Sequence, residues 1–320
     1  MTATQKEAQF YGREVQIQER NGDKTVYEIE GGGTLTVFKL FPGIEMIYND
    51  LYITTWTHPS EPLPDIMEIN HCRRGRFECE FRQGSYAYLG EGDLGVNMLS
   101  NNTICPRFPL GVYQGATAMI DFSIAKDRLP HLLKGVEIDL EILREKLCPH
   151  NTCLVLKAPV KVQHIFEEIY TVDAEIETGY LRLKILELLL ILTILPSPDP
   201  SEISPYFSAD QVQKVKHIRE HLMTSLDQDL TLKELATEHE ISLTALKNCF
   251  KAIYGKTVYA YRREYRMQTA ANMLRNTPLT ILEIAGRVGY ENPGKFAAAF
   301  KEIMGMTPGD YRKKVIGLLD

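Results

Sequence analysis

What this 320-residue sequence has little of narrows the field first. Its six cysteines, Cys72, Cys79, Cys105, Cys148, Cys153 and Cys249, follow no disulfide-scaffold spacing. Reduced thiols in a cytoplasmic protein are the simplest account. Long hydrophobic runs are missing: the most apolar one, Leu188 to Leu195, is far too short to cross a bilayer. The opening Met-Thr-Ala-Thr-Gln-Lys-Glu carries no apolar core of a signal peptide. There is no P-loop, no Gly-x-Ser-x-Gly and no paired-carboxylate pattern above background. Cys148-Pro-His150-Asn-Thr-Cys153 offers metal-capable side chains, but its spacing fits no standard zinc site and a fourth ligand is not evident. The expectation is therefore a non-enzymatic protein with no metal, no cofactor and no membrane partner.

An excess of positive charge is also lacking, since the net charge is −6. The balance is uneven, however. Residues 209–320 hold 17 Lys and Arg against 13 Asp and Glu, a net +4, and the remainder holds 19 against 29, a net −10. Only the C-terminal part has the sign that suits contact with phosphates. The length suits two or three domains.

What is present is an internal repeat. Thr231-Leu-Lys-Glu234-Leu-Ala236 returns as Thr280-Ile-Leu-Glu283-Ile-Ala285. Phe250-Lys251 returns as Phe300-Lys301, Gly255 as Gly305, Thr257 as Thr307, and Tyr261-Arg262 as Tyr311-Arg312. The offset moves from 49 to 50, so the second copy carries one extra residue in its turn. Thr231 with Glu234, and Thr280 with Glu283, fit capping boxes. Ser242 or Asn292 then caps a second helix. Leu246, Phe250 and Ile253 line one face of the first such helix, as Phe296, Phe300 and Ile303 do in the second copy. Two helices, a tight turn and a free outer face describe a helix-turn-helix, here twice. Thr257 to Arg275 contains no Gly or Pro and reads as one helix of roughly 28 Å between the copies, against about 34 Å for a turn of B-DNA.

The run Ile284-Ala-Gly-Arg-Val-Gly289-Tyr, with Phe296, Phe300-Lys301, Gly305-Met-Thr307-Pro308 and Tyr311-Arg312, resembles the signature of the AraC/XylS family of transcription regulators. The resemblance covers roughly residues 209–314. It implies two recognition helices entering successive major grooves of promoter DNA. In the first, Thr244, Lys247, Asn248 and Lys251 face away from the apolar stripe. Lys donates to guanine and Asn pairs with adenine, while Lys251 is better placed for phosphate. The outward positions of the second are Gly294, Lys295, Ala297 and Ala298. Their small side chains cannot hydrogen-bond a base edge, so this unit is expected to position the protein through Lys295, Lys301 and backbone N–H groups. Ser242 and Asn292 complete the expected DNA-contacting set. Glu240 stands where the second copy has Gly289, which predicts either a strained first turn or one built differently.

Upstream, residues 1–125 alternate like strands at Val15–Gln18, Leu35–Phe38, Ile66–Asn70, Phe77–Phe81 and Ala118–Phe122, with turns at Asn21-Gly22, Gly31–Gly33, Arg74-Gly75, Gln83-Gly84 and Gly90–Asp93. An antiparallel barrel or jelly roll follows. Gly75 to Leu94 is similar to the cupin-like sensor domain of many AraC-type regulators, which implies a small-molecule effector in the barrel. A sugar and an iron-siderophore are two candidates the sequence does not choose between. The expected pocket residues are Trp56, His71, Arg73, Phe77, Phe81, Tyr86 and Tyr88. His58 and His71 lack the His-x-His cluster with Glu of metal-binding cupins.

Residues 126–195 read as helical. Asp127–Leu133 and Asp139–Leu147 form short helices, and Ala158–Val172 has one apolar face. Tyr180–Leu195 is apolar nearly all round. One of its rows, Leu181, Leu188, Leu192 and Leu195, is expected to pack on the sensor. The other, Leu183, Leu186, Leu190 and Ile194, is expected to face a second subunit. Pro196-Ser-Pro-Asp-Pro200-Ser reads as a stiff exposed linker through residue 208. The expected whole is an α+β multidomain chain: a cupin-like β-barrel (1–125), a helical dimerisation segment (126–195), a linker (196–208) and an all-α domain with two helix-turn-helix units (209–320). Promoter DNA, an effector, RNA polymerase and a second copy are its expected partners. The competing reading is a cupin-type enzyme or small-molecule carrier whose C-terminal helices only mediate assembly.

Overall fold

The computed structural model describes residues 15–56, 63, 65–81, 84–99, 103–132, 135, 136, 138–149, 152–199, 201–228 and 230–316. The opening heptapeptide, His58, Gln83, Leu133, His150 and Pro200 lie outside these. The chain divides into two units, Met1–Ser208 and Ala209–Asp320.

The first unit is an antiparallel sheet domain with helices on one face. Its strands are β1 (Val15–Asn21), β2 (Lys24–Ile29), β3 (Gly33–Phe41), β4 (Ile44–Leu51), β5 (Ile66–Phe81), β6 (Ser85–Gly90), β7 (Asp93–Met98), β8 (Thr103–Arg107), β9 (Tyr113–Asp121), β10 (Leu154–Lys157) and β11 (Phe207–Ser208). They pair in the order β1-β2-β3-β4-β9-β5-β6-β11, with β7 and β8 also on β5 and β10 on β7. The path is open, with no pairing of β1 to β11 among the described residues.

The strand β5 organises this unit. Its first half pairs with β9 and β7, and its second half with β6 and β8. Arg74-Gly75, expected as a turn, is a bend inside this single 16-residue strand, with a register shift between Cys72 and Arg74. Gly75 sits at φ +94°, where a Cβ would meet the carbonyl oxygen of Val112 at 2.0 Å. Only glycine lets the two backbones approach so closely.

The helices are α1 (Phe122–Leu132), α2 (Leu140–Leu147), α3 (Val160–Ile169) and α4 (Glu177–Ile194). Asp139 caps α2 through its side chain. The region expected as all helical also holds β10, which extends the sheet beside β7. Val162, Ile165, Phe166 and Ile169 of α3 share one core with Leu181, Ile185, Leu188 and Leu192 of α4 and with Phe38, Met46, Met67 and Ile69 of the sheet. The helices thus complete the core of the sheet. Of the α4 row expected to point inward, Leu181, Leu188 and Leu192 are buried, and Leu195, just past the helix end, is half-buried against the core. Leu183, Leu190 and Ile194 are exposed, whereas Leu186 is half-buried and packed against the core.

The segment expected as an exposed linker is docked. Ser204 N–H donates to the Val155 carbonyl at 2.7 Å, and the Tyr206 hydroxyl donates to the Cys153 carbonyl. Phe207 and Ser208 then pair with Tyr86 and Ser85 of β6. Prolines remove N–H donors from the start of this segment; the residues after them recover backbone pairing at a sheet edge.

The second unit is helical: α5 (Ala209–Thr224), α6 (Leu232–Glu238), α7 (Leu243–Tyr254), α8 (Val258–Asn276), α9 (Ile281–Arg287), α10 (Pro293–Met304) and α11 (Pro308–Ile316). Val212, Val215, Ile218 and Leu222 of α5 are buried. Met267, Ala270, Ala271 and Leu274 of α8 share a core with Ile284, Ala285, Val288, Phe296 and Phe300.

Candidate nucleic-acid interface

The two repeat copies fold alike. α6 and α9 each span 7 residues, and α7 and α10 each span 12. Both capping boxes form in full. The N–H and hydroxyl of Thr231 and Thr280 hold the Glu234 and Glu283 carboxyls below the usual carboxylate range. Ile241 N–H returns to the Ala236 carbonyl at 2.9 Å, and Tyr290 N–H to the Ala285 carbonyl at 2.9 Å. Gly255 and Gly305 end α7 and α10 at φ +76° and +78°, the left-handed cap that favours glycine. The offset changes between Tyr290 and Asn292, so the extra residue of the second copy is Glu291.

The turns differ where the sequence differs. Glu240 adopts φ +51°, the one non-glycine with positive φ among the described residues. Gly289 sits at φ +74° with Leu226 and Arg266 against it. The first turn is therefore the strained version of the second, not a different turn.

On α7, Thr244, Lys247, Asn248 and Lys251 are exposed, while Leu246, Cys249, Phe250 and Ile253 are buried. On α10, Gly294, Lys295, Ala298 and Lys301 are exposed and Ala297 is half-buried. Among the described residues, no carboxylate lies within ion-pair distance of Lys247, Lys251, Lys295 or Lys301. Ser242 and Asn292 are engaged as caps, accepting from Ala245 N–H at 3.1 Å and Lys295 N–H at 3.0 Å. The hydroxyl of Ser242 and the amide nitrogen of Asn292 retain donors for another partner.

The expected pocket residues of the first unit separate into groups. Trp56 and Phe77 line a cavity of about 140 Å³ in the first unit. His71 and Arg73 line a different hollow beside Gln163 and Tyr170. His71 is buried, stacks on Phe166 at 4.4 Å, and uses both ring nitrogens, on Tyr170 at 3.0 Å and Gln163 at 2.9 Å. Burial holds its pKa below the usual histidine value. Arg73 places its guanidinium 4.8 Å from the Tyr170 ring centre. Phe81 packs on Tyr206. Tyr86 and Tyr88 lie on the face of β6 away from the cavity, opposite Glu80 and Glu78. Ala87 and Leu89, between and after them, line it instead. Side chains alternate along a strand, so choosing the tyrosines selected the wrong face.

Sequence reasoning missed Glu68, Asn70, Asn97 and Thr117, which give the cavity a polar end. It also missed His221, Glu238 and His239, whose ligand-capable atoms lie within 4.8 Å of one another. The members of that trio come from two helix ends 17 residues apart, which no local spacing reveals.

Residues 235–314 match the helix-turn-helix domain family. The chain is 24% identical over 195 residues to the HTH-type transcriptional activator RhaR of Mannheimia succiniciproducens, covering 61% of this chain and 64% of that protein. It is 39% identical over 83 residues to a putative AraC-like transcription regulator of Streptomyces lividans, covering 26% and 27%. The solved C-terminal domain of AraT, a response regulator from Geobacillus stearothermophilus, matches at 35% identity with a TM-score of 0.31, over 32% of this chain and 84% of that one. The chain thus spans less than two thirds of the length of either of these curated relatives.

Proposed function

We propose that this chain, whose residues 235–314 match the helix-turn-helix domain family, is a sequence-specific DNA-binding transcription regulator of the AraC type. The carrying observation is the pair of like-built helices, α7 and α10, with exposed lysines that form no ion pair among the described residues. In this reading α7 reads bases through Lys247 and Asn248, with Thr244 beside them and Lys251 on phosphate. α10 positions the chain through Lys295, Lys301 and the N–H groups at its start, where the helix dipole favours an anion. Ser242 and Asn292 add their spare donors to the backbone contacts. The 19 residues of α8 make a helix roughly 28 Å long between the two copies, close to one turn of duplex.

The first unit is then a cupin-like sensor whose cavity takes a small-molecule effector. The exposed row of α4 joins two chains, and RNA polymerase is the partner on promoter DNA. The chain works in the cytoplasm and carries out no reaction of its own. The test is binding to a library of duplexes, followed by titration on the selected site at several salt concentrations. A specific site with a steep salt dependence supports the reading. Equal, weak binding to every duplex would overturn it and favour an enzyme or carrier.

A further inference from the structure

We infer that the cavity of the first unit takes a small organic ammonium ion, a primary amine on an apolar body of about benzene size, with its nitrogen on Glu68. This rests on the reading of the cavity as the effector site and names the ligand's chemistry.

The wall is divided. Asn49, Glu68, Asn70, Asn97 and Thr117 supply a polar end from neighbouring strands. Asn49 donates to Thr117 at 3.0 Å, and Thr117 donates to Asn70 at 2.6 Å. The same wall carries an aromatic group: Phe77, Phe108 and Tyr113 touch one another with ring centres 5.4 to 5.8 Å apart. Trp56 lines the same space. A carboxylate beside several aromatic faces is the chemistry that recognises an organic cation, through a charged hydrogen bond and ring quadrupoles together.

Charge excludes the alternatives. Among the described lining residues there is one acid and no Lys, Arg or His. An anionic ligand would meet Glu68 with no cation to offset it. A carboxylate held off bulk water without a cation is costly, and burial pushes the Glu68 carboxyl up to about 7. A bound ammonium supplies the missing counter-charge. A sugar would need polar partners all round, and most of the residues lining this cavity are apolar. Size sets the last limit: about 140 Å³ compares with the ~150 Å³ that holds benzene in an engineered cavity.

The single tryptophan of the chain, Trp56, reports occupancy directly. The full chain is titrated with benzylamine, benzyl alcohol and benzoate, following tryptophan fluorescence and the thermal midpoint. Benzylamine should saturate at least ~10-fold more tightly than benzyl alcohol, and benzoate should not bind. Glu68→Gln should erase the preference for amine while leaving benzyl alcohol binding in place. Glu68→Asp, which keeps the charge but draws it back by one methylene, should weaken the amine and keep the preference. Equal binding of alcohol and amine, or an amine preference that survives Glu68→Gln, overturns the ammonium assignment and leaves the cavity as a ligand site. No response to any of the three by a folded chain overturns both. DNA binding by the same preparation is scored separately, so failure of the regulator reading is not confused with either.

Discussion

The ring of Tyr311 meets that of Phe300 edge to face, with centres 5.5 Å apart and planes at 80°. The first copy repeats the contact: Tyr261 meets Phe250 at 5.4 Å and 82°. The arginine after each tyrosine reaches back to the loop before its own unit. Arg312 donates to the Leu279 carbonyl at 2.5 Å, and Arg262 to the carbonyls of Leu230 and Gln228. Phe, Tyr and Arg at these spacings therefore form a clamp that closes each helix-turn-helix on its following helix. An edge-to-face pair adds about 0.5–1.5 kcal/mol beyond burial, and a charged donor on a carbonyl about 1.5–3.

Matched turns give opposite predictions. Glu240→Gly removes a side chain from a left-handed position and should stabilise the second unit by about 0.5–1 kcal/mol, the relief being partly offset by glycine's entropy. Gly289→Ala should cost at least ~2 kcal/mol. Its Cβ would add strain at φ +74° and meet the Leu226 carbonyl oxygen at 2.3 Å, with Arg266 equally close. Guanidinium unfolding followed by helical circular dichroism measures both. Shifts of the same sign would show that the two turns are not equivalent.

The first recognition helix should carry base discrimination. Lys247→Ala or Asn248→Ala is expected to cost about 1–3 kcal/mol on the selected duplex and to relax preference at one base pair. Ala297→Ser, at a half-buried position on α10, should leave base preference unchanged. Lys295→Ala should weaken all duplexes alike and reduce the salt slope by about 1. Equal losses of specificity from all four changes would refute the division of labour.

Stability should depend on pH through Glu68. Its folded pKa of about 7 stands above the ordinary 4.5. The native state keeps a proton that the unfolded chain releases, so this stabilisation is complete below about 4.5 and is lost as pH rises through 7. Glu68 is half-buried where it borders the cavity, so only part of the shift translates into stability. Glu68→Gln should therefore be more stable than the parent at pH 8, by up to about 3 kcal/mol, and show little gain at pH 4.5. His71 acts in the opposite sense: its lowered pKa makes stability fall as pH drops below 6.5 in both proteins. A difference between the two that is constant from pH 4.5 to 8 would contradict the buried carboxylate.

The helix-turn-helix was legible because its determinants are local. Caps, apolar stripes and the Phe-Tyr-Arg clamp all lie within some 30 residues, and duplication states them twice. The cavity was much less so. Tyr86 and Tyr88 look like pocket residues by type, but the pairing of β6 with β5 turns Ala87 and Leu89 inward. Glu68 reads as an outward polar residue in an alternating strand. Here the strand has helices over one face and a ligand-sized space on the other, so neither face is outward. Ser204 and Phe207 read as linker because their partners, Val155 and Tyr86, lie 49 and 121 residues upstream. Non-local pairing leaves no periodic trace in the segment itself.

The exposed row of α4 makes the last prediction. Leu183 is 67% exposed, Leu190 38% and Ile194 74%, on a helix whose opposite row is sealed in the core. Spacings of seven and four place the three along one stripe, the pattern of a helix seam. Large aliphatic residues in a contiguous row are normally covered, and a two-fold pairing with the same helix of a second chain covers both rows at once. Leu186 does not belong to the test: it is half-buried against the core, so charging it would unsettle the fold itself. Leu183→Glu with Leu190→Glu leaves the core intact and should change stability by less than ~0.5 kcal/mol each. The doubly changed chain should sediment as a monomer and still bind a half-site. Leu188→Glu, on the sealed row, should instead unfold the first unit, which separates loss of pairing from loss of fold. If the unaltered chain is already a monomer at micromolar concentration, with and without duplex, the seam does not pair two chains.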